Sequence, residues 1–462
     1  LYSASGDLQI TPEGIAAERS FALQPVSGLP ASSAQKFPHL AAQTAFKLEE
    51  EVQLANLVTG QLALALYDSE GNLKDATGLQ LAGMLDEHFF YDGKLGAEVG
   101  TDNIDFALWA PTARSVKLHL FNSAESNTAD MVVEMARQGG TWQASVGKEW
   151  DRAYYLYEVE VYSYFSDAVE TNLVTDPYSL GLSINSGKSQ VINLDDRDLQ
   201  PRGWQRLRKP DLKNPEDISV YELHVRDFSI HDETVPEAER GTFKAFDRHH
   251  SNGMRHLKKL ANAGMTHIHL LPAFDFATVN EDKGQQQSPE NLSSYAADST
   301  EQQAAVNAVR DSDGFNWGYD PLHFTVPEGS YATDAHGPAR ILEFREMVQG
   351  LSRSGLRVVM DVVYNHTSSY GQYQNSVLDK IVPGYYHRRN SEGGVEMSSC
   401  CANTASEHRM MEKLMLDSME VWAKDYKVDG FRFDLMGHHS LDNILKTRAM
   451  LDALTPQTAG VD

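Results

Sequence analysis

The sequence contains very few cysteines: there are two in 462 residues, and they are neighbours, Cys400 and Cys401. Adjacent cysteines cannot join distant parts of a chain, so disulfides do not hold this fold together. Their Cα atoms lie only about 3.8 Å apart, which is short for a disulfide. Two free thiols and a vicinal disulfide in a secreted protein both remain open, whereas the absence of CxxC or paired Cys/His spacing argues against a zinc site.

The sequence also lacks a long apolar run and an excess of basic residues. No segment approaches the roughly 20 apolar residues that cross a bilayer, so we expect no transmembrane segment. The 65 acidic and 40 basic side chains give a net charge of -25. Because nucleic-acid binding needs a basic face that neutralises phosphates, we expect no nucleic-acid partner. An uncharged ligand such as a sugar fits this charge better.

Length and patterning predict several folded units. With 41% hydrophobic and 23% charged residues, the composition is that of a globular protein. Residues 1–87, with the alternating stretch QLALALYD, are predicted to form a small β-rich module. Residues 88–205 contain FALWAPTARSVKLHLF and YLYEVEVYS, whose alternation of apolar and polar residues is typical of a β-sandwich. The polar, Pro-bearing stretch 195–217 is predicted to be a linker.

Residues 206–462 have a different pattern, which predicts an α/β fold. The apolar strands ISVYELHVRDFS, MTHIHLLPAFDF, RVVMDVVYNH and VDGFRFDL alternate with amphipathic helices, which indicates a parallel sheet covered by helices. Polar residues follow each strand, as in the catalytic rim of a (β/α)8 TIM barrel, so we expect barrel strands one to four. Two long insertions, 277–315 and 367–406, leave the same rim and are typical of lids or subdomains. In the first, Ser299 and Gln302 have capping-box spacing for a short helix.

The last predicted strand carries two charges, Arg432 and Asp434, which alternate with two phenylalanines. Both charges therefore face one side of the strand. A guanidinium beside a carboxylate keeps it ionised, as a carboxylate nucleophile requires. A purely structural ion pair is the alternative, but buried pairs are weak sources of stability, and His438 and His439 follow directly.

Two other segments bring polar and aromatic groups to the predicted rim. In RVVMDVVYNH, Asp361 and Asn365 share a face and His366 stands at the strand end. Buried polar groups are unfavourable unless they are satisfied, so these three indicate a site rather than only a neighbouring donor. FNWGYDP places Trp317 and Tyr319 in a loop, where flat rings suit the apolar faces of sugars, although either ring could simply anchor the loop.

Together these motifs resemble a known family. DVVYNH followed by GFRFD resembles the first two conserved regions of the α-amylase superfamily, glycoside hydrolase family thirteen. FNWGYDP is similar to the YNWGYDP signature of type I pullulanases, with Phe315 in place of the first Tyr, and the sandwich resembles the carbohydrate-binding module of family forty-eight. The resemblance implies a secreted or cell-surface bacterial enzyme, without its signal segment here, that debranches starch by cleaving α-1,6-glucosidic links in pullulan and branched α-glucans with retention.

The resemblance implies a role for each matching residue. Asp434 would be the nucleophile, Arg432 would position it and keep it ionised, and Asp361 would brace Arg432. His366 would hydrogen-bond the sugar in the cleaved subsite, and Tyr319 would stack beneath that sugar.

Further members of the site follow from the same motifs. Trp317 would contact the substrate, and His438 would lie near the leaving group. Gly437 stands where amylases carry Lys, which fits a debranching enzyme. Several relatives bind calcium, so calcium is a possible cofactor, although its ligands cannot be assigned.

The expected general acid is absent from the sequence. A retaining glycosidase needs a second carboxyl group about 5 Å from its nucleophile, and the family supplies a Glu on barrel strand five. No Glu follows Glu420. We therefore expect the N-terminal part of a longer enzyme, present either as a fragment or paired with the missing C-terminal half, and inactive alone. The alternatives are an isoamylase or glycogen-debranching relative, which would be distinguished by pullulan cleavage, and a non-catalytic starch-binding protein with a degenerate barrel.

Overall fold

The computed structural model describes residues 1–36, 38–49 and 51–454. The N-terminal region consists of short antiparallel strands and three short helices. Its strands are β1 (Tyr2–Ala4), β2 (Gln9–Thr11), β3 (Gly14–Ala16), β4 (Arg19–Ser20), β5 (Leu23–Val26), β6 (Ala45–Leu48), β7 (Gln61–Tyr67) and β8 (Leu73–Gly78). Its helices are α1 (Ala31–Lys36), α2 (Leu54–Leu57) and α3 (Ala82–His88). The predicted alternating stretch forms β7, an inner strand of a sheet with the order β4-β1-β7-β8.

The second region is a sandwich of two antiparallel sheets. Its strands are β9 (Gly96–Val99), β10 (Asn103–Trp109), β11 (Ala113–Phe121), β12 (Met131–Glu134), β13 (Ala136–Gln138), β14 (Thr141–Gly147), β15 (Tyr154–Ser163), β16 (Ala168–Val174) and β17 (Ser189–Gln190). One sheet has the order β13-β14-β10-β9 and the other β12-β11-β15-β16. The alternation in β11 buries Val116, Leu118 and Leu120. Phe106 and Tyr155 join the two sheets, with ring centroids 5.1 Å apart.

The third region is built around a four-stranded parallel sheet, as the sequence predicts. Its strands are β18 (Val220–Leu223), β19 (His267–Leu270), β20 (Phe274–Phe276), β21 (Pro321–Pro327), β22 (Arg357–Val362), β23 (His366–Thr367), β24 (Ala402–Asn403) and β25 (Gly430–Phe433). The parallel order is β18-β19-β22-β25. The pairs β20-β21 and β23-β24 are antiparallel.

Helices lie between and after the parallel strands. They are α4 (Asn252–Asn262), α5 (Glu301–Val309), α6 (Ala339–Arg353), α7 (Leu378–Ile381), α8 (Arg409–Lys424) and α9 (Leu441–Asp452). Helices α4, α6 and α8 precede β19, β22 and β25, so each crossover brings the chain back parallel to the previous strand. Helix α9 begins at a capping box in which Ser440 Oγ accepts from the Asn443 N–H at 3.1 Å. Within the described ranges, no helix is long and apolar enough to span a membrane.

The predicted strands are longer than the observed ones. ISVYELHVRDFS forms a strand only over Val220–Leu223, and MTHIHLLPAFDF divides into β19 and β20. The division falls at Pro272, which has no N–H to give to a sheet. After it, β20 turns to pair with β21, so the chain leaves the parallel sheet there.

The stretch 195–217 is a packed connection, which corrects its prediction as a linker. Leu199 is buried, and its carbonyl accepts from Arg345 Nη1 at 3.0 Å. Lys209 Nζ lies 2.7 Å from Asp429 Oδ2, and both side chains are buried. Because a buried ion pair ties this stretch to the sheet, it cannot move as a free linker.

The helix in the first insertion is present, but its predicted capping box is wrong. Helix α5 begins at Glu301, after Thr300, whose side chain caps nothing. Gln302 Nε2 donates to the Leu292 carbonyl at 3.3 Å rather than returning to the helix start. Residue types at capping spacing do not form a capping box when a neighbouring turn offers another partner.

Candidate active site

The site is centred on Asp361, near the C-terminal end of β22. In the parallel register Asp361 lies beside Arg432 on β25. Arg432 Nη1 donates to Asp361 Oδ1 at 2.9 Å and to Oδ2 at 3.1 Å. The Asp361 side chain is 0% exposed, whereas that of Arg432 is 45% exposed. The carboxylate therefore bears most of the desolvation and depends on its donors.

Two more groups contact the same carboxylate. Tyr319 donates its hydroxyl to Asp361 Oδ2 at 2.8 Å, and His269 Nε2 lies 3.2 Å from that oxygen. Burial raises the pKa of Tyr319, and the hydrogen bond to Asp361 raises it further. Tyr319 is therefore a neutral phenol at physiological pH, and it keeps its proton while donating a hydrogen bond to Asp361.

Asp434 follows β25 directly and is held by two donors. Arg432 Nη1 lies 3.2 Å from Asp434 Oδ1, and Asn365 Nδ2 donates to Oδ2 at 3.0 Å. Asn365 Nδ2 also lies 3.0 Å from the Asp434 carbonyl oxygen. The next residue, Leu435, has φ of 42°, so the chain turns sharply out of the strand. This turn leaves the Asp434 carboxylate, 16% exposed, at the end of the sheet.

The surroundings of Arg432 favour its protonated, positively charged form. Partial burial lowers its pKa, but the hydrogen bond and the charge of Asp361 outweigh burial and raise it overall. One guanidinium thus donates to two carboxylates, of which Asp361 is buried and Asp434 is at the edge. Such a group is a fixed positive charge that also orients the partly buried carboxylate of Asp434.

His366 begins β23 and is only 2% exposed. Its Nδ1 lies 2.6 Å from Asn365 Oδ1, and its Nε2 lies 2.8 Å from the Tyr319 carbonyl oxygen. Both ring nitrogens therefore face protein oxygens, and a sugar hydroxyl would have to replace one of them. The hydrogen bond from His366 to a sugar stays a prediction.

Trp317 and His438 are not drawn into the hydrogen bonds around Asp361. Trp317 is 62% exposed, in the loop before Tyr319. The ring of His438 is half-buried, and its Nδ1 has no hydrogen-bond partner among the described residues. Their predicted contacts with the substrate and the leaving group stay predictions.

The loop FNWGYDP is anchored from the first parallel strand. His224 follows β18, and its Nε2 lies 2.6 Å from the Asn316 carbonyl oxygen. Burial lowers the pKa of His224, which favours the neutral ring. Gly318 has φ of +86°, and a Cβ there would lie 2.8 Å from the Pro272 carbonyl oxygen. Glycine is therefore required for the turn that presents Tyr319.

Sequence reasoning did not identify Glu222 and His269 as part of the site. They are register neighbours on β18 and β19, and His269 Nδ1 lies 3.3 Å from Glu222 Oε2. The chain Glu222–His269–Asp361 thus crosses three parallel strands. Alternation in the apolar strand HIHL indicates that His269 shares a face with His267, but it does not say which neighbour that face meets.

One group of three carboxylates could be considered for calcium. Asp275, Glu281 and Glu328 are buried, with one oxygen of each within 4.8 Å of the others. Arg340 Nη2 lies 3.0 Å from Glu281 Oε2 and Nη1 lies 3.7 Å from Asp275 Oδ1. Burial raises the pKa of Glu328 well above its usual range, and the charge of Glu281 adds to the effect.

This trio does not fit a calcium ion. Calcium takes six to eight oxygen ligands, whereas here a buried guanidinium already supplies the cation. The oxygens of Glu328 accept from the backbone N–H groups of Phe276 and Ser330 at 3.1 and 2.8 Å. The calcium expected from the resemblance stays a prediction, without an assigned ligand set in the part of the chain that the structure describes.

Comparison with known proteins shows what this chain is similar to. Residues 1–87 match the Pullulanase N2 domain, and residues 94–179 match carbohydrate-binding module 48, the isoamylase N-terminal domain. Pullulanase 1, chloroplastic, of Arabidopsis thaliana is 45% identical over 100% of this chain and 48% of its own length. The chain is similar to pullulanases over its whole length. The predicted relationship to pullulanases, with a family forty-eight module, is thereby confirmed.

Structures of proteins similar to this chain have been solved. The structure of ligand-free PulA from Klebsiella pneumoniae has a TM-score of 0.94 and 39% identity, covering 98% of this chain and 47% of that one. A maltotriose complex of PulA from the same organism has a TM-score of 0.94 and 38% identity, covering 98% and 54%. The chain spans about half the length of the curated relatives it matches.

Proposed function

We propose that this chain supplies the nucleophile and part of the sugar site of a starch-debranching glycoside hydrolase. The enzyme would cleave α-1,6-glucosidic links in pullulan and branched α-glucans by retaining double displacement. Similarity to pullulanases supports the reaction class, and the maltotriose in the PulA complex supports an α-glucan ligand. The observation that carries the proposal is the carboxylate of Asp434, held by Arg432 and Asn365 at the end of β25.

Asp434 suits the role of nucleophile. Its Oδ1 faces Arg432 at 3.2 Å and its Oδ2 faces Asn365 at 3.0 Å, so both oxygens are oriented before substrate binds. In the first step a carboxylate oxygen would bond to the anomeric carbon while the bond to the leaving oxygen breaks. In the second, water would attack that carbon and release Asp434.

The remaining residues would bind the sugar and position the nucleophile. Arg432 would hold Asp434, and Asp361 would hold Arg432 through its two hydrogen bonds. Tyr319 would stack beneath the sugar with a ring that Asp361 fixes through the hydroxyl. His366 would hydrogen-bond that sugar in exchange for its present contact with the Tyr319 carbonyl. Trp317 and His438 complete the proposed substrate contacts, with His438 near the leaving group.

The general acid lies outside this chain in our proposal. Asp361 does not suit the role, because its buried carboxylate accepts from Arg432, Tyr319 and His269. The acid must release a proton to the leaving oxygen and then activate water. We therefore expect these 462 residues to be inactive alone.

The parallel sheet would be strands one to four of a (β/α)8 barrel. On β18, Val220 is 51% exposed, and on α9 Leu441 and Leu445 are 74% and 58% exposed. Apolar side chains and an open strand edge of this kind need a cover, which the second half of a barrel would provide. We propose this half as the partner, and assign residues 1–87, 88–205 and 206–462 to the three units.

Location and cofactor remain separate proposals. The Arabidopsis relative carries the name chloroplastic, which concerns that protein. Secretion from a bacterial cell, and a calcium ion, stay predictions from the resemblance. Neither enters the reaction proposed above.

The test compares the full-length polypeptide that contains this sequence with the 462-residue chain alone. Each is incubated with pullulan, and new reducing ends and maltotriose are measured. We expect release by the full-length protein and none by the chain alone, which should still bind maltotriose. Cleavage of amylopectin or glycogen without cleavage of pullulan would assign an isoamylase-type or glycogen-debranching activity. Binding without any cleavage would instead indicate a non-catalytic starch-binding protein.

A further inference from the structure

A short loop of residues 397–402, here the cystine loop, carries the disulfide between Cys400 and Cys401. Two hydrogen bonds close its base. The Asn403 N–H donates to the Glu396 carbonyl at 2.9 Å, and Asn403 Nδ2 donates to Ser398 Oγ at 2.7 Å. The base of the loop is therefore held without the disulfide, which constrains only the tip.

The base is attached to the strand that carries His366. His366 pairs with Asn403 in the β23-β24 ladder, and the Thr404 N–H donates to the Asn365 carbonyl at 3.0 Å. One ring nitrogen of His366 and the sulfurs of Cys400 and Cys401 all lie within 4.8 Å of one another. A change at the two sulfurs therefore alters the immediate surroundings of the His366 imidazole.

Solvent reaches the disulfide but not the histidine. Cys400 is exposed and Cys401 half-buried, whereas His366 is buried. Exposed disulfides are the ones that thiols can attack, because exchange requires access of a thiolate to a sulfur. The cystine loop therefore places beside His366 a disulfide that an external dithiol can reduce.

We propose that Cys400–Cys401 is a reducible wall of the site around His366, and that its reduction weakens the binding of maltooligosaccharides there. The sugar part rests on the proposed function, whereas the coupling of the disulfide to His366 does not. The reaction needs a dithiol as reductant. Its thiolate attacks one sulfur, and its second thiol resolves the mixed disulfide. The protein S–S bond breaks, two cysteine thiols form, and the reductant becomes a cyclic disulfide.

The direction of the effect follows from side-chain freedom. The disulfide holds two side chains in one arrangement beside His366, so they are already ordered before a sugar binds. After reduction both thiols rotate freely, and ordering them again opposes binding. We expect the dissociation constant for maltotriose to rise about 3- to 10-fold, which corresponds to ordering one or two side chains.

The experiment uses the 462-residue chain, oxidised and after treatment with dithiothreitol, with thiols counted by a chromogenic reagent. The His366 resonance is followed by NMR, with His366→Asn for its assignment, and maltotriose binding by calorimetry. We expect reduction to shift the His366 resonance and weaken maltotriose binding, and reoxidation to restore both. Melting should change little, because the bonds at the base of the loop remain. The double variant Cys400→Ser, Cys401→Ser should resemble the reduced protein in its His366 resonance and maltotriose affinity. Dithiothreitol should change neither property in this variant.

Three results would overturn the proposal. One is an unchanged His366 resonance after two thiols have been counted. Another is an equal response of the double variant to dithiothreitol. The third is unchanged maltotriose affinity after verified reduction. If maltotriose binds in neither state while His366 still responds to reduction, the proposed sugar site is wrong and the coupling between disulfide and His366 is supported.

Discussion

Arg432 Nη1 donates to both oxygens of Asp361, at 2.9 and 3.1 Å, from the neighbouring parallel strand. The same nitrogen lies 3.2 Å from Asp434 Oδ1. The buried carboxylate therefore anchors the guanidinium, and the guanidinium orients the carboxylate at the sheet edge. An ion pair that looks structural when considered alone becomes a positioning device once its second partner is included.

Replacing Asp361 should destabilise the protein. Asp361→Ala removes the acceptor for Arg432, Tyr319 and His269, and leaves these donors facing a cavity. We expect the free energy of unfolding in urea to fall by about 1–3 kcal/mol. Asp442→Ala is the control, since that side chain is 69% exposed, and it should change stability by at most about 0.5 kcal/mol. Equal effects of the two substitutions would contradict the network.

Replacing the proposed nucleophile should separate binding from cleavage. In the full-length protein, Asp434→Asn keeps the size of the side chain but removes the negative charge that would attack the anomeric carbon in the proposed mechanism. We expect pullulan cleavage to fall at least about 10³-fold, as for other catalytic groups, with maltotriose affinity retained. Asp442→Asn should cleave normally. Wild-type turnover by Asp434→Asn would eliminate this residue as the nucleophile.

Tyr319 offers a matched pair of variants. Tyr319→Phe loses the hydroxyl that donates to Asp361 but keeps the ring, whereas Tyr319→Ala loses both. If the ring stacks on the sugar, maltotriose affinity should fall about 3- to 10-fold in the Ala variant and much less in the Phe variant. Calorimetry on the two proteins measures the difference. Similar losses in both would assign the effect to the hydrogen bond instead.

His439 should make stability depend on pH. Burial lowers its pKa from 6.5 to about 4, and the nearby His438 and Arg388 add to the shift. Below pH 6.5 His439 is protonated in the unfolded chain but stays neutral in the folded chain. The free energy of unfolding therefore falls as the pH falls towards 4. The loss attributable to His439 is about 2–3 kcal/mol.

Two measurements check this pH dependence. An NMR titration should give His439 a midpoint near 4, the shifted pKa. The variant His439→Gln should show a shallower fall of unfolding free energy between pH 6.5 and 4 than the wild type. A midpoint at the ordinary pKa of histidine would show that the ring is not desolvated.

A chain of buried polar groups begins at Thr367, the residue that follows His366 in β23. Thr367 Oγ1 donates to the Ser369 carbonyl at 2.8 Å and lies 2.7 Å from His387 Nε2, whose Nδ1 lies 3.0 Å from Asp379 Oδ2. Thr367→Val keeps the shape but leaves these partners unpaired, and should lower the unfolding free energy by about 1–3 kcal/mol. Thr367→Ser keeps the hydroxyl and should be clearly more stable than the Val variant in urea denaturation. A reversed order would show that packing of the methyl group dominates.

Much of the third region could be predicted because its signals are local. Apolar strands alternating with amphipathic helices indicate parallel pairing, and the period of two puts Arg432 and Asp434 on one side of a strand. The errors lie where a distant residue intervenes. The polar stretch 195–217 looks mobile, but Lys209 meets Asp429 from the sheet. Gln302 fits a helix start, but the Leu292 carbonyl takes its amide.

The candidate site shows the same division. Residue type and alternation were sufficient to place Asp361, Arg432 and Asp434 near strand ends, since side-chain direction depends only on the strand. They could not assign Glu222–His269 as the support of Asp361, because that requires the order of the strands.

The surroundings of His366 depend on still more distant contacts. Its nitrogens face the Asn365 side chain and the Tyr319 carbonyl, and the Cys400–Cys401 disulfide lies beside it. Local sequence was thus enough to establish the sheet, the charges on its edge and the resemblance to pullulanases. Which partner each charge meets, and what covers the histidine, depend on segments far apart in the chain, whose contacts form only when the domain packs.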